Sequence, residues 1–318
     1  MSRWVAQLRR RGSRSLRWSV VVSSPKGAAG EQWGDTWFGR DLVAALQERG
    51  QQARLVHHAA ATSPARDQDD VVLVLRGLKA VVPRTTPGAR TKWLLWVISH
   101  PDDVQEAEVE PYDAVFAASA HWSRAASLGR PVMPLLQATN PHRFRPDAAA
   151  PDTGASVLFV GSTRGQFRPI VRDAISCGAS LSVFGVGWQD LIPQQCYQGQ
   201  FLPNPDLPAA YAAAGVVLND HWPDMAAQGF LSNRLFDAVA CGARVVSDQA
   251  VGLAEVFGTG VRTYSSDNPV NDLRPLVSGD FRGHFPERAD RLALAARIAA
   301  DHSFLARVDV LIDVVREL

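Results

Sequence analysis

The chain has 318 residues, of which 46% are hydrophobic and 20% charged, with 33 Lys plus Arg against 32 Asp plus Glu and a formal net charge of +1. The length suits two domains with full apolar cores. The charge balance excludes a dedicated nucleic-acid binder, which needs a cationic excess, and a charge-rich disordered chain. Cys177, Cys196 and Cys241 are odd in number and form no CxxC, so a disulfide framework and a cysteine zinc site are disfavoured and a cytoplasmic setting is expected. No apolar run approaches the ~18 residues of a membrane span. Only Lys26, Lys79 and Lys92 supply lysine; the arginine and alanine bias fits a GC-rich bacterial genome.

The first seventeen residues place Arg3, Arg9, Arg10, Arg11, Arg14 and Arg17 among Trp4, Val5, Leu8 and Leu16. This pattern suits either a basic amphipathic helix in peripheral contact with an anionic membrane, at its inner face, or a helix packed on the domain. The following apolar run is too short for a signal peptide. From residue 18, apolar runs alternate with helical patterns. Residues 18–23, 53–57, 71–75, 93–99 and 114–118 predict strands, and residues 36–49 a helix with Phe38, Leu42, Ala45 and Leu46 on one face. Five prolines between 131 and 151 mark a linker. Residues 156–160, 181–184, 216–218 and 244–247 predict a second set of strands, and residues 231–241, 286–300 and 305–318 predict helices. Continuous apolar strands separated by helices imply an α/β fold of two doubly wound parallel sheets, each binding ligands beyond the C-terminal ends of its strands.

The stretch 216–255 carries the most chemistry. Asn219, Asp220 and His221 follow a strand, and the next helix carries Asn233, Arg234 and Asp237, with Asn233 and Asp237 one turn apart on one face. A helix N-terminus beside a guanidinium suits a diphosphate, and a carboxylate one turn on suits ribose hydroxyls. The alternative is that Asn233 caps the helix and Arg234 with Asp237 is a surface pair. In the first half, Asp35 opens a helix as its N-cap or as a general base, and His100, after residues 93–99, is a base or a loop residue. His57 and His58 have no further ligand nearby for a metal. No DxD motif occurs, and the segment Gly185-Val-Gly187 lacks the third glycine of a dinucleotide fingerprint.

The run NRLFDAVACGARVVSD, followed by GLAEVF, resembles the donor-binding segment of GT-B-fold glycosyltransferases and is most similar to the branch related to spore-maturation glycosyltransferases. The resemblance implies two Rossmann-like domains facing across a cleft: residues 1–140 on the acceptor side, 152–300 on the donor side, and a helix within 301–318 that crosses back. It implies that Asp237 binds the nucleotide ribose, where the family usually has Glu; a companion Glu eight residues earlier falls on Gly229. The run VLFVGSTRGQFR is similar to the family's segment that follows the linker. It implies donor contacts from Gly161, Ser162, Thr163 and Arg164 or Arg168, with Ser162 standing where the family has Arg. His221 is implied at the donor sugar, Phe201 and Leu202 at the base, and Asp35 and His100 at the reacting centre. The implied activity is metal-independent transfer, with retention, from a nucleoside diphosphate sugar to a glycan, lipid-linked or small-molecule acceptor, as in polysaccharide biosynthesis. A non-catalytic nucleotide-sugar or glycan-binding subunit, or an epimerase of the same fold, stays open. A phosphorylase is disfavoured because the second half has no lysine for pyridoxal phosphate.

Overall fold

The computed structural model describes residues 15–84, 86–147, 154 and 156–318; the basic segment 1–14, and with it most of the amphipathic pattern noted above, lies outside the described residues. The first sheet comprises β1 (Arg17–Val22), β2 (Gln52–His57), β3 (Val71–Arg76), β4 (Lys92–Val97), β5 (Ala114–Ala117) and β6 (Met133–Pro134), in the order β2-β1-β3-β4-β5-β6. The second comprises β7 (Val157–Val160), β8 (Leu181–Phe184), β9 (Tyr197–Gly199), β10 (Val216–Asn219), β11 (Val245–Asp248) and β12 (Val261–Tyr264), in the order β12-β11-β10-β7-β8-β9. All pairings are parallel. Val, Leu and Trp runs form such strands because helices cover both faces, leaving no position along β3 exposed.

The helices used below are α1 (Gly34–Glu48), α2 (Pro169–Ser176), α3 (Pro223–Gln228), α4 (Asn233–Ala240), α5 (Arg288–Asp301) and α6 (Phe304–Glu317). Helix α1 lays Phe38, Leu42, Ala45 and Leu46 against Val20, Leu73 and Trp96 on one face of the first sheet. Helix α5 stays with the second sheet, burying Ile298 beside Leu235 and Val239 of α4. Helix α6 then returns to the first sheet. Its Phe304, Val308, Leu311 and Ile312 complete the α1 cluster, with the Phe304 and Phe38 rings 4.7 Å apart, and Arg49 pairs with Asp309 at 2.6 Å. Ser303 caps α6, and Thr139 N–H donates to His302 O at 2.9 Å where the chain crosses. A second link runs the other way: Met225 and Phe230, around α3, pack into the opposite face of the first sheet, and Ser119 Oγ donates to Gln228 O at 2.6 Å.

Three strands depart from the sequence reading. Met133–Pro134 lies inside the expected linker yet pairs with Phe116 and Ala117 at the sheet edge, a position where proline costs no ladder bond. Tyr197–Gly199 and Val261–Tyr264 also extend the second sheet beyond the predicted strands. The second sheet reverses direction between β7 and β10, the first between β1 and β3, and both reversals open toward one cavity between the sheets. Among the described residues no helix is long and apolar enough to cross a membrane.

Candidate functional site

The cavity measures about 490 Å³. The first sheet contributes strand-end residues such as Ser23, Gly77 and Ser99; the second contributes Gly161, Ser162 and Gly185. Arg234 spans the reversal of the second sheet. It projects from the first turn of α4, donating from Nη1 to Asn219 Oδ1 at the tip of β10 (3.1 Å) and from Nη2 to Val160 O at the tip of β7 (2.6 Å). Ser232, Asn233, Arg234 and Asp237 all line the cavity, so Arg234 and Asp237 face the groove and not bulk solvent. Ser232 stands at the N-cap of α4 without a side-chain capping bond, which leaves first-turn N–H groups uncapped at the cavity.

Asn233 Nδ2 donates to Asp237 Oδ2 at 2.7 Å, while Asn233 Oδ1 is buried with no hydrogen-bond partner among the described residues. Asp237 Oδ1 accepts from Thr139 Oγ1 at 2.8 Å. Burial raises the Asp237 pKa well above the usual carboxylate range, and Asp41 pushes it the same way against the Thr139 hydrogen bond. Gly161 is needed for the guanidinium packing: a Cβ there would lie 2.8 Å from Arg168 Nη1 and 3.2 Å from Arg234 Nη2.

The other expected arginines stand elsewhere. Arg168 is fully buried at the N-cap of α2, where Nε donates to Asp220 Oδ2 at 2.7 Å and Nη1 to Ser162 O at 3.0 Å. Burial, and then the guanidinia of Arg164 and Arg234, lower its proton affinity; Asp220 is its counter-charge. Arg164 adopts a left-handed backbone (φ 56°) and sets its guanidinium 4.6 Å from the centre of the Trp222 ring. Burial, then Arg234, pulls its pKa down to about 10. Neither Arg164 nor Arg168 is among the residues that line the cavity, and Asp220 neutralises Arg168 where it stands. Thr163 is also buried beneath the loop, accepting from Gly165 N at 3.3 Å, whereas exposed Ser162 lines the cavity.

His221 is not among the cavity-lining residues either. Its Nδ1 meets Asp248 Oδ1 at 2.6 Å and its Nε2 accepts from Ser232 N at 3.0 Å, so both ring nitrogens are engaged in holding the start of α4. His100 takes a left-handed backbone (φ 52°) and stands 4.0 Å from Asp224 Oδ2 and 5.4 Å from the Trp222 ring, a contact between the two halves outside the cavity lining. Asp35 lines the cavity but is not the N-cap, since Trp33 holds that position. Its carboxylate accepts from Ser24 N at 3.1 Å, and burial raises its pKa.

Sequence reasoning missed Trp33, Trp37, Asp41 and Arg143, all at the cavity. Asp41 accepts from Asn140 Nδ2 at 2.8 Å and from Arg143 Nη1 at 3.1 Å, and Arg143 also donates to Asn204 of the second half. The available signal was the position of Asp41, one turn after Phe38 and Trp37 on α1, a carboxylate at the edge of an apolar stripe. Phe201, Leu202 and Val186 line the far end of the cavity, with Phe201 and Val186 exposed. Among the described residues no group of three or more His, Cys, Asp or Glu is placed to hold a metal ion.

A family model described as glycosyl transferase-like matches residues 165–313. No curated protein sequence matches the chain. The chain is similar in structure to AviGT4, a glycosyltransferase involved in avilamycin A biosynthesis, at 18% identity and a TM-score of 0.65, covering 96% of this chain and 98% of that one. It is also similar to sucrose-phosphate synthase from Thermosynechococcus elongatus (13% identity, TM-score 0.65, covering 96% and 99%). A third similar structure is the catalytic domain of starch synthase IV from Arabidopsis thaliana, bound to ADP and acarbose (8% identity, TM-score 0.57, covering 96% and 100%). The fold is that of the GT-B glycosyltransferases.

Proposed function

We propose that this chain is a glycosyltransferase of the spore-maturation-related branch. It uses a nucleoside diphosphate sugar as donor, held by residues 152–300, and an acceptor held by residues 1–140. The observation that carries this reading is Arg234, which bridges the β7 and β10 tips and lines the cavity together with the uncapped start of α4. Anion binding at a helix start and bidentate guanidinium contact are both suited to a diphosphate. Asp237, which lines the cavity one turn after Asn233, takes the ribose hydroxyls. Phe201, Leu202 and Val186 offer an apolar edge for the base.

In the reaction, the bond between the anomeric carbon and the diphosphate oxygen breaks and the electron pair leaves on the diphosphate. Arg234, the α4 N–H groups and, from further off, the Arg164 guanidinium stabilise that charge without a metal. The acceptor oxygen forms the new bond on the face from which the diphosphate departs, as retention requires, and its proton passes to Asp35, a carboxylate at the cavity whose pKa burial raises. Retention at the anomeric carbon follows from the resemblance and is part of the proposal. Contact between the halves through His100, Trp222 and Asp224 sets cleft closure and excludes water.

The test is calorimetry with UDP, GDP, ADP and dTDP, followed by nucleotide release from matching sugar donors. Binding of one nucleotide, weakened about tenfold to a hundredfold by Arg234→Ala, is expected. No binding by any of the four would sink the reading. A second reading, a non-catalytic nucleotide-sugar binding subunit, draws on Gly229, where the family's Glu is absent. Binding without turnover would select it.

A further inference from the structure

Trp33 presents an unengaged indole to the cavity. It is half-buried at the N-cap of α1, and among the described residues its side chain makes no hydrogen bond and no ring contact. Trp37, one turn on, is differently placed: its Nε1 donates to Glu31 O at 2.9 Å, and Arg40 and Arg143 lie 4.7 and 5.4 Å from its ring centre. Leu78, 56% exposed after β3, supplies further apolar surface on the same wall. An aromatic face and a leucine left uncovered in a concave site gain by burial only when a ligand lies on them.

The ionised groups of this wall set the charge of that ligand. Arg40 is held by both oxygens of Glu31, at 2.7 and 2.5 Å, and Arg143 is engaged by Asp41 and Asn204. Asp35 meets no cation: one oxygen accepts from Ser24 N, and Oδ1 is buried without a partner. Lys26 and Lys79 are exposed on adjoining loops and do not line the cavity. The two walls are thus unlike: the second sheet offers Arg234 to an anion, and the first offers a carboxylate and an indole.

We propose that the acceptor is a non-phosphorylated sugar or ring alcohol, neutral or amine-bearing, that lays its apolar face on Trp33 and Leu78 and presents a hydroxyl to Asp35. This rests on the reading of the cleft as a glycosyltransferase site. A phosphate on the acceptor would face Asp35 and find no unpaired cation on this wall, a like-charge contact in partly desolvated surroundings. A ring hydroxyl instead donates to the Asp35 carboxylate, which lines the cavity.

The experiment titrates the full chain with phenyl glucoside, galactoside, mannoside and glucosaminide, and with the 6-phosphates of the same hexosides, with and without UDP or GDP. At least one neutral or amino hexoside should bind at least about tenfold more tightly than its 6-phosphate, as opposite charge preferences in a shielded site require. Trp33→Ala should weaken that hexoside about fivefold or more, Trp33→Phe should restore most of the loss, and Asp35→Asn should narrow the gap to the 6-phosphate. A 6-phosphate that binds as tightly as its parent, an indifferent Trp33→Ala, or no binding by any neutral or amino hexoside would each overturn the proposal. Nucleotide binding with a preference for 6-phosphates defeats this inference alone; Trp33-dependent hexoside binding without nucleotide binding defeats the transferase reading alone.

Discussion

Thr139 donates its hydroxyl hydrogen to Asp237 at 2.8 Å, tying the segment that joins the two sheets to helix α4 at the cavity. Asp237 is therefore held by the segment that runs between the sheets. On the proposed reading, a nucleotide that engages Asp237 competes with Thr139 for its carboxyl.

The raised pKa of Asp237 gives this arrangement a pH signature. Burial makes the folded state keep a proton over a range in which the unfolded chain has released it. The folded state then binds more protons, and stability falls as pH rises through that range. Melting temperatures from pH 4 to 8 should decline more steeply with pH for the wild type than for Asp237→Asn, which keeps an acceptor for Thr139 but cannot ionise. Parallel curves would show that the carboxyl titrates as an exposed one does.

Gly161→Ala should separate binding from folding. The new Cβ meets the ends of two guanidinia, at 2.8 Å from Arg168 and 3.2 Å from Arg234. The tighter contact is with Arg168, which Asp220 holds, so relief shifts the strand tip or both guanidinia and disturbs the bonds of Arg234 to Asn219 and Val160. Nucleoside diphosphate affinity is expected to fall about tenfold, with a stability loss of about 1–3 kcal/mol from overpacking. Calorimetry and denaturant unfolding measure the two effects side by side.

Gly229→Glu, which supplies the carboxylate that the resemblance would put at this position, should destabilise the fold and not raise turnover. Gly229 ends α3 with φ 75°, and a Cβ there would lie 3.0 Å from Val251 O and 3.1 Å from Ser119 Oγ. A left-handed non-glycine residue costs about 1–2 kcal/mol before any contact is counted. Thermal unfolding and donor consumption would check both halves of this expectation.

His302, where the chain crosses between the sheets, should govern part of the acid response. Burial, then the Arg307 guanidinium whose Nη2 lies 2.6 Å from its Nδ1, brings its pKa down to about 4. Between about pH 6.5 and 4 the unfolded chain takes up a proton that the folded state refuses, so stability is lost as pH falls through that window. His302→Gln should flatten the acid limb of the melting curve between those values, and an unchanged limb would reject the assignment.

Much of the scaffold is legible in short apolar runs. The segment 71–76 reads VVLVLR and can bury every residue only inside a parallel sheet. Met133–Pro134 carries no such signal, because two residues with a proline become a strand only through the neighbouring β5. At the site, Arg234 and Asp237 are readable because helix spacing and strand-end logic act within one segment. Arg168 is not, since its fate is decided by Asp220, 52 positions away. His221 likewise looks available until Asp248 and Ser232 engage both of its nitrogens. Trp33, Asp41 and Arg143 escape a local reading because the cavity they share exists only once the two sheets meet.

The return of α6 to the first sheet has a consequence for biosynthesis. A ribosome must emit the entire second sheet before Phe304, Val308 and Leu311 arrive to close the core around Phe38 and Leu42. The first sheet therefore waits, with a greasy flank uncovered, until α6 has followed the second sheet out. A gene fragment stopped at the joint would deliver an unfinished half, so recombining halves from different relatives requires carrying α6 along with the sheet it seals.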